Sequence, residues 1–339
     1  MTAPVLVIGE ALVDIVSGGP ANNSGGSGPG SGSGPGSGSG SGSVSGNGRS
    51  GKNGSKATPG GSPANVAVGL ARLGLPTQLV TRFGTDPYGD QLGAHLFGNG
   101  VQLAPGSVDP SFRTSTATAK LDAAGVASYE FDITWDLPAL SLSRGCPAVH
   151  TGSIATVLEP GADAIRRFLS SLASEPVTVT LDPNARPTIT PDPVTTWAAV
   201  RALAADADLV KLSDEDCEFL RPGLSPDEIA AELLSVDRTS CVVITRGGEG
   251  AIGVSRTARV EVGAPAIDVV DTVGAGDSFM SALIAGLQTR DLLGAVRLKG
   301  LTEQSLHDVV DYAVKAAAIT CTRHGADPPT AAEHTATWG

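Results

Sequence analysis

Asp277 follows Gly274-Ala275-Gly276 and precedes Phe279, Met280, Leu283, Ile284 and Leu287, apolar residues at helical spacing. The spacing predicts a helix that begins near Gly276. Small residues at such a start let backbone amides approach a phosphate, and the helix dipole favours the negative charge held there. A carboxylate in the first turn, beside that anion hole, can take a proton from an incoming hydroxyl while the amides hold the group being transferred. Phosphoryl transfer asks mainly for this alignment and charge stabilisation. The helix N-terminus is expected to lower the pKa of Asp277. Taken alone, Asp277 also fits a plain first-turn partner of the helix dipole.

Other groups of the right chemistry recur along the chain. Asp14 is a polar residue soon after the first apolar run, and Asn65 carries an amide that both donates and accepts. Their bland readings are a strand-end turn residue and a helix-face amide. Leu181-Asp182-Pro183-Asn184-Ala185-Arg186 follows an apolar strand, and ligands in open α/β sheets bind beyond the carboxyl ends of strands. Arg186 reads equally as a surface arginine paired with a nearby acid. Lys211, Ser213 and Asp216 form a charged run that also suits a helix N-cap. Thr245, Gly247 and Gly250 belong to a glycine-rich turn that is otherwise an ordinary hairpin.

These residues need a scaffold, and its pattern is α/β. Residues 5–8 are a short apolar run, fit for a buried strand. Residues 18–56 are almost wholly Gly, Ser, Pro and Asn, a composition predicting a flexible enlarged loop. Ser62 as N-cap, Pro63 at the first helical position, Val66, Leu70 and Leu73 on one face and Gly74 as the stop predict a helix. A strand is expected at 78–83, then a helix carrying Leu92 and Leu96 and ending near Asn99-Gly100. Residues 113–121 and 126–133 alternate as in a hairpin. Strands at 148–151, 177–181, 208–212 and 241–245 then alternate with helices at 162–173, 194–204 and 226–235. That alternation implies one mostly parallel sheet covered on both faces.

The 339 residues are 41% hydrophobic and 17% charged, with a formal net charge of -12. This balance argues against nucleic acid and anionic membrane as partners, which require a basic face. Cys146, Cys217, Cys241 and Cys321 lie far apart, without zinc or redox spacing, as expected of thiols in the reducing cytoplasm. The N-terminus carries Glu10 and Asp14 and no basic region, so it reads as a strand rather than a signal peptide. No apolar run reaches membrane-spanning length. Gly46 to Lys52 fits the phosphate-loop pattern GxxxxGK, but Asn53 follows it, no strand precedes it, and the tract is biased towards glycine.

Residues 271–286, Asp271-Thr-Val-Gly-Ala-Gly-Asp277-Ser-Phe-Met-Ser-Ala-Leu-Ile-Ala-Gly286, resemble the C-terminal signature of the ribokinase-like (PfkB) carbohydrate kinases. Residues 60–74 resemble the N-terminal signature of the same family. The resemblance implies a single domain over residues 1–339, a doubly wound α/β/α sandwich with a small β lid that includes 113–133. It implies ATP and a small-molecule sugar as partners, Mg2+ on the phosphates and, in many members, K+. Asp277 would be the catalytic base and Gly274, Ala275 and Gly276 the anion hole. Asp14, Gly60, Gly61, Asn65 and Arg186 would bind the sugar. Lys211, Ser213, Thr245, Gly247 and Gly250 would face the nucleotide, with Asp216 and Asp271 near metal ions. Members often form homodimers through the lid. The stretches Gly9-Glu10-Ala-Leu-Val-Asp14, Val210-Lys-Leu-Ser213 and Tyr129-Glu-Phe131 are most similar to bacterial fructokinases, which make fructose 6-phosphate. Kinases of 2-keto-3-deoxygluconate and ribose are the enzymatic alternatives. A non-catalytic sugar-binding protein on the same fold would have lost the base or the anion hole, and both are present.

Overall fold

The four side chains of Val5-Leu6-Val7-Ile8 are all apolar and all buried, which suits a strand covered on both faces. The computed structural model describes residues 3–17, 56–121, 127–294 and 298–339. Its strands are β1 (Val5–Ile8), β2 (Leu12–Ser17), β3 (Lys56–Gly60), β4 (Thr77–Val80), β5 (Gln102–Leu103), β6 (Thr116–Leu121), β7 (Ala127–Asp132), β8 (Ala148–Gly152), β9 (Thr178–Asp182), β10 (Leu209–Ser213), β11 (Cys241–Thr245), β12 (Ala251–Ser255) and β13 (Arg259–Val262). Its helices are α1 (Ser62–Arg72), α2 (Pro87–Gly98), α3 (Gly161–Ser171), α4 (Pro193–Ala204), α5 (Asp214–Leu220), α6 (Pro226–Leu234), α7 (Ala275–Thr289), α8 (Glu303–Cys321) and α9 (Ala331–Trp338).

The large sheet runs β13-β12-β11-β10-β9-β8-β1-β4-β5. It is parallel from β11 to β5, and β12 and β13 turn antiparallel at one edge. Side chains alternate between its faces. Val5, Val7, Leu209 and Val243 join one core with residues of α1, α7 and α8, whereas Leu6, Ile8, Val149 and Val210 join the other with α3, α4 and α6. The expected two-faced α/β/α sandwich is therefore the observed fold. All parallel strands direct their carboxyl ends to one rim, where the loops gather.

A second sheet, β3-β2-β6-β7, forms the small β layer. The predicted hairpin is present as antiparallel β6 and β7, and β2 joins it in parallel. Two expectations change here. Asp14 is not at the end of the first strand, because the chain turns after Ile8 and Asp14 lies mid-strand in β2, opposite Thr58 and Ala117. Lys56, placed in the flexible tract from its composition, opens β3 opposite Val16. The rest of that tract, including the GxxxxGK match, lies outside the described residues.

Candidate active site

Ser62 and Asn65 lie one turn apart on α1, so both side chains leave the same face. The Ser62 hydroxyl donates to Asp277 Oδ1 at 2.6 Å, and the Asn65 amide donates to Oδ2 at 2.8 Å. Ser62 is thus not the helix cap the sequence predicts. Gly61 takes that place at φ 100, a left-handed conformation suited to glycine, which frees Ser62 to turn towards α7.

Asp277 occupies the first turn of α7 and is only 8% exposed. Burial raises its carboxyl above the usual range, and the bonds from Ser62 and Asn65 oppose that shift without cancelling it. The expected lowering is therefore overturned: loss of water outweighs the bonds from Ser62 and Asn65 and the charge of Lys211. Gly274 caps α7 at φ 75, and a Cβ there would come within 2.5 Å of the Ala326 Cβ. The Ala275 amide closes a turn onto the Thr272 carbonyl at 3.2 Å. The amides of Gly276 and Asp277 belong to the first turn, where no intrahelical acceptor is available, so they are the donors open to an anion.

Lys211 reaches this point from β10. Its Nζ lies 3.3 Å from the position a Cβ on Gly276 would occupy, and it donates to Asp182 Oδ2 at 2.8 Å. Burial would lower the ammonium pKa, but Asp182, Asp216 and Asp277 hold it above its ordinary value. A fixed positive charge therefore stands beside the anion hole.

Asp14 Oδ2 lies 2.1 Å from where a Cβ on Gly60 would be, so a side chain at Gly60 would push this carboxylate aside. Asp14 remains exposed at the mouth of the cleft. Desolvation by the cleft walls pushes its carboxyl up to about 6, with Arg186 opposing and Asp277 adding to the rise. Asp14, Arg186 and Asp277 thus share one electrostatic neighbourhood. Arg186 is exposed, its Nη1 donates to the Ala185 carbonyl at 3.3 Å, and it forms no ion pair among the described residues. The surface-pairing alternative for this arginine finds no partner there.

The remaining predicted residues surround the β10 and β11 ends. Ser213 caps α5, and its hydroxyl and amide both donate to Asp216 Oδ2 at 2.9 Å. Asp216 Oδ1 accepts from the Ala185 amide at 2.7 Å. Thr245 donates to the Leu212 carbonyl at 3.4 Å, and Gly247 and Gly250 turn the β11–β12 hairpin at φ 49 and φ 93. Asp271 accepts from the amides of Val273 and Gly325 at 3.1 and 2.8 Å, which holds its carboxyl below its ordinary value. Asp216 and Asp271 are held by different loops. Among the described residues no group of three or more His, Cys, Asp or Glu gathers as a metal cage. A metal at Asp216 would have to displace its capping bonds.

Two residues of this site were not singled out from sequence as site residues: Ser62 and Asp182. The Ser62-x-x-Asn65 spacing was the available signal for the first. Asp182 stood in the quoted Asp-x-Asn-x-Arg run, but its bond to Lys211 joins adjacent strands and has no local signature.

The pfkB family carbohydrate kinase model matches residues 50–333. The chain belongs to this family. A fructokinase of Rhizobium leguminosarum bv. trifolii is 34% identical over 74% of this chain and 78% of its own length. A fructokinase of Escherichia coli is 29% identical over 79% of this chain and 87% of its own. Among solved structures, Xylella fastidiosa fructokinase with bound ATP superposes with a TM-score of 0.78 at 22% identity, covering 98% of this chain and 97% of the other. A Vibrio cholerae fructokinase double mutant bound to fructose, ADP and potassium ion superposes with a TM-score of 0.71 at 25% identity, covering 96% and 94%. The pfkB assignment makes the protein a carbohydrate kinase, a phosphotransferase acting on a sugar hydroxyl.

Proposed function

We propose that the protein is an ATP-dependent fructokinase that converts fructose to fructose 6-phosphate, with Asp277 as the base. The observation that carries this reading is the Asp277 carboxylate itself. It is buried at the start of α7, gripped by Ser62 and Asn65, between a phosphate-binding turn on one side and Gly60, Gly61 and Asp14 on the other. Asp14, Asn65, Arg186 and the two glycines bind the sugar and direct one hydroxyl at Asp277. The carboxylate takes the hydroxyl proton as the sugar oxygen attacks the γ-phosphorus. The Gly276 and Asp277 amides and Lys211 stabilise the charge on the phosphoryl oxygens. The transferred group ends on the sugar and ADP leaves.

ATP lies over the β10 and β11 ends, along Lys211, Ser213, Thr245, Gly247 and Gly250. Magnesium bound to its phosphates neutralises their charge. The carboxylates of Asp216 and Asp271 suit such a hard cation and would hold it together with the nucleotide phosphates. Potassium would be held by the loop that Asp271 bonds at Gly325. Free thiols at all four cysteines fit a cytoplasmic enzyme, and the small sheet offers a surface for a homodimer. A second acceptor, 2-keto-3-deoxygluconate, is favoured by one feature: the exposed Arg186 guanidinium makes no ion pair with a carboxylate among the described residues.

The test is ADP release with MgATP against a panel of sugars and sugar acids, with Asp277→Ala beside the wild type. The expected outcome is the highest kcat/KM on fructose and loss of several orders of magnitude in the variant. Preference for another acceptor would remove fructose and keep the kinase. Turnover by Asp277→Ala would remove the base.

A further inference from the structure

Ser62 opens α1 and is 9% exposed. Its type, and the Pro63 that follows, make it the expected cap of this helix, yet α1 has no side-chain cap. Gly61 stands in the cap position, and a Cβ there would come within 2.6 Å of the Glu10 carbonyl oxygen, so the turn is built on glycine. The Ser62 hydroxyl is thereby released from its own helix, and it donates to Asp277 Oδ1 at 2.6 Å. A bond this short from a hydroxyl to a carboxylate is of the strong, charge-assisted kind.

α1 and α7 are docked without this bond. Val66 and Leu70 share a core with Phe279 and Leu283, and Gly69 faces Ser281 so closely that a Cβ would come within 2.2 Å of its hydroxyl oxygen. The Ser62 bond therefore acts on the carboxylate more than on the packing. Burial pushes the Asp277 carboxyl up, and the Ser62 bond is the largest influence in the other direction, ahead of Asn65 from the same helix. Lys211 from β10 also favours the charged form, Asp182 from β9 opposes it, and Asp14 from β2 adds a second acidic neighbour. Lys211 is already committed to Asp182 at 2.8 Å. Asn65 and Lys211 have substrate roles in the proposed reaction, whereas Ser62 has none.

We infer that Ser62 is a positioning residue for the base: its hydroxyl fixes the Asp277 carboxylate against α1 and keeps it in the charged form that takes the acceptor proton, so that transfer continues at lower pH than burial alone would allow. This rests on the reading of Asp277 as the base. Ser62 acts through Asp277, not on the sugar or the phosphate. A bond given to the charged form favours that form, so losing it makes the carboxyl keep its proton to higher pH.

The test uses the full chain with Ser62→Ala and Ser62→Cys, each also combined with Asp277→Asn. Alanine removes the donor, and cysteine fills the same place with a weak one. Should the alanine chain not fold, the cysteine chain carries the test. The rate of a single turnover is followed against pH at saturating sugar and MgATP, so that neither binding nor product release enters. The acid limb should move to higher pH in both variants. The ratio of variant to wild-type rate should fall by about tenfold or more from the alkaline plateau to the foot of the limb, the scale of one hydrogen bond to a charged group. Sugar KM should stay within about threefold of wild type, because no contact to the sugar is removed. In the Asp277→Asn background either replacement should cost less than about twofold at the same pH, the mark of two residues acting as a unit. A limb that stays in place, whether or not the plateau falls, would overturn the inference. So would a loss carried by sugar KM alone, or the full loss repeated in the Asp277→Asn background. A wild type that phosphorylates no acceptor, or an Asp277→Asn chain as fast as wild type, would instead remove the reading of the base, and the inference with it.

Discussion

Asp277 is a carboxylate whose two oxygens are already held, and this shapes what its replacement should do. Asn at this position keeps the volume but cannot accept the hydroxyl proton. Asp277→Asn should lower kcat by about 10²–10⁴-fold, the range for losing a general base, with little change in KM for ATP. Steady-state kinetics with each substrate varied in turn check this. The raised carboxyls also set a pH dependence. Protonated, Asp277 cannot act as base and Asp14 loses the charge-assisted bonds it offers to sugar hydroxyls. Asp14 lies at about 6 and Asp277 is likewise raised, so kcat/KM should fall as pH drops through about 6. The part of the limb near pH 6 belongs to Asp14 and should be lost in Asp14→Asn. Lys211 and Asp182 answer to a different balance, since both are buried and each neutralises the other. Lys211→Met should destabilise the fold by about 3–5 kcal/mol by leaving the Asp182 charge unpaired, and Asp182→Leu in the same chain should restore most of that loss. Denaturant unfolding of the two variants measures it. Asp277 was legible in the sequence because its neighbours repeat at helical spacing. The rise in its pKa was not, because burial comes from α1 packing across α7, which no local pattern records.

At the scale of elements, the site is a junction between two helix starts. α1 and α7 approach closely because Gly69 faces Ser281, where a Cβ would come within 2.2 Å of the hydroxyl oxygen. The approach lets the first turn of one helix supply donors to the first turn of the other. Gly274 fixes the angle at which α7 begins, and Gly274→Ala meets two penalties, a left-handed φ of 75 and a Cβ only 2.5 Å from that of Ala326. The backbone penalty alone is about 1–2 kcal/mol. The variant should lose activity by at least about tenfold, since the amides of Gly276 and Asp277 move with the turn. Its kcat and thermal unfolding, measured side by side, check both effects. Element type was legible throughout the alternating half of the chain, where short apolar runs and helical stripes are unambiguous. Ser62 shows the limit of that reading. Ser-Pro before an apolar stripe is a sound N-cap signal, yet Gly61 caps α1 because the Ser62 hydroxyl has a buried carboxylate to meet.

Across the whole molecule, the small sheet meets the large one around the acceptor, and the Gly/Ser-rich stretch enters the chain within it. Val16 in β2 pairs directly with Lys56 in β3, so the polypeptide leaves and re-enters the sheet at adjacent positions. A short turn could join those two strands as an ordinary antiparallel hairpin. Gly60 closes β3 at the end opposite that junction, paired with Leu12, and Asp14 lies two residues back from Val16, paired with Thr58. Replacing residues 18–55 by a four- or five-residue hairpin turn should therefore preserve kcat and both KM values within about twofold. It should also stabilise the fold by up to about 2 kcal/mol, because closure entropy falls by about 0.6 kcal/mol for each halving of loop length and roughly three halvings are involved. Kinetics and thermal unfolding of the shortened chain decide the matter. Retained kinetics with a raised Tm would fit an enlarged loop on a complete catalytic body. A selective rise in sugar KM would instead place part of the Gly/Ser stretch over the acceptor, since in the proposed arrangement ATP would enter from the β10 and β11 side and bind as before.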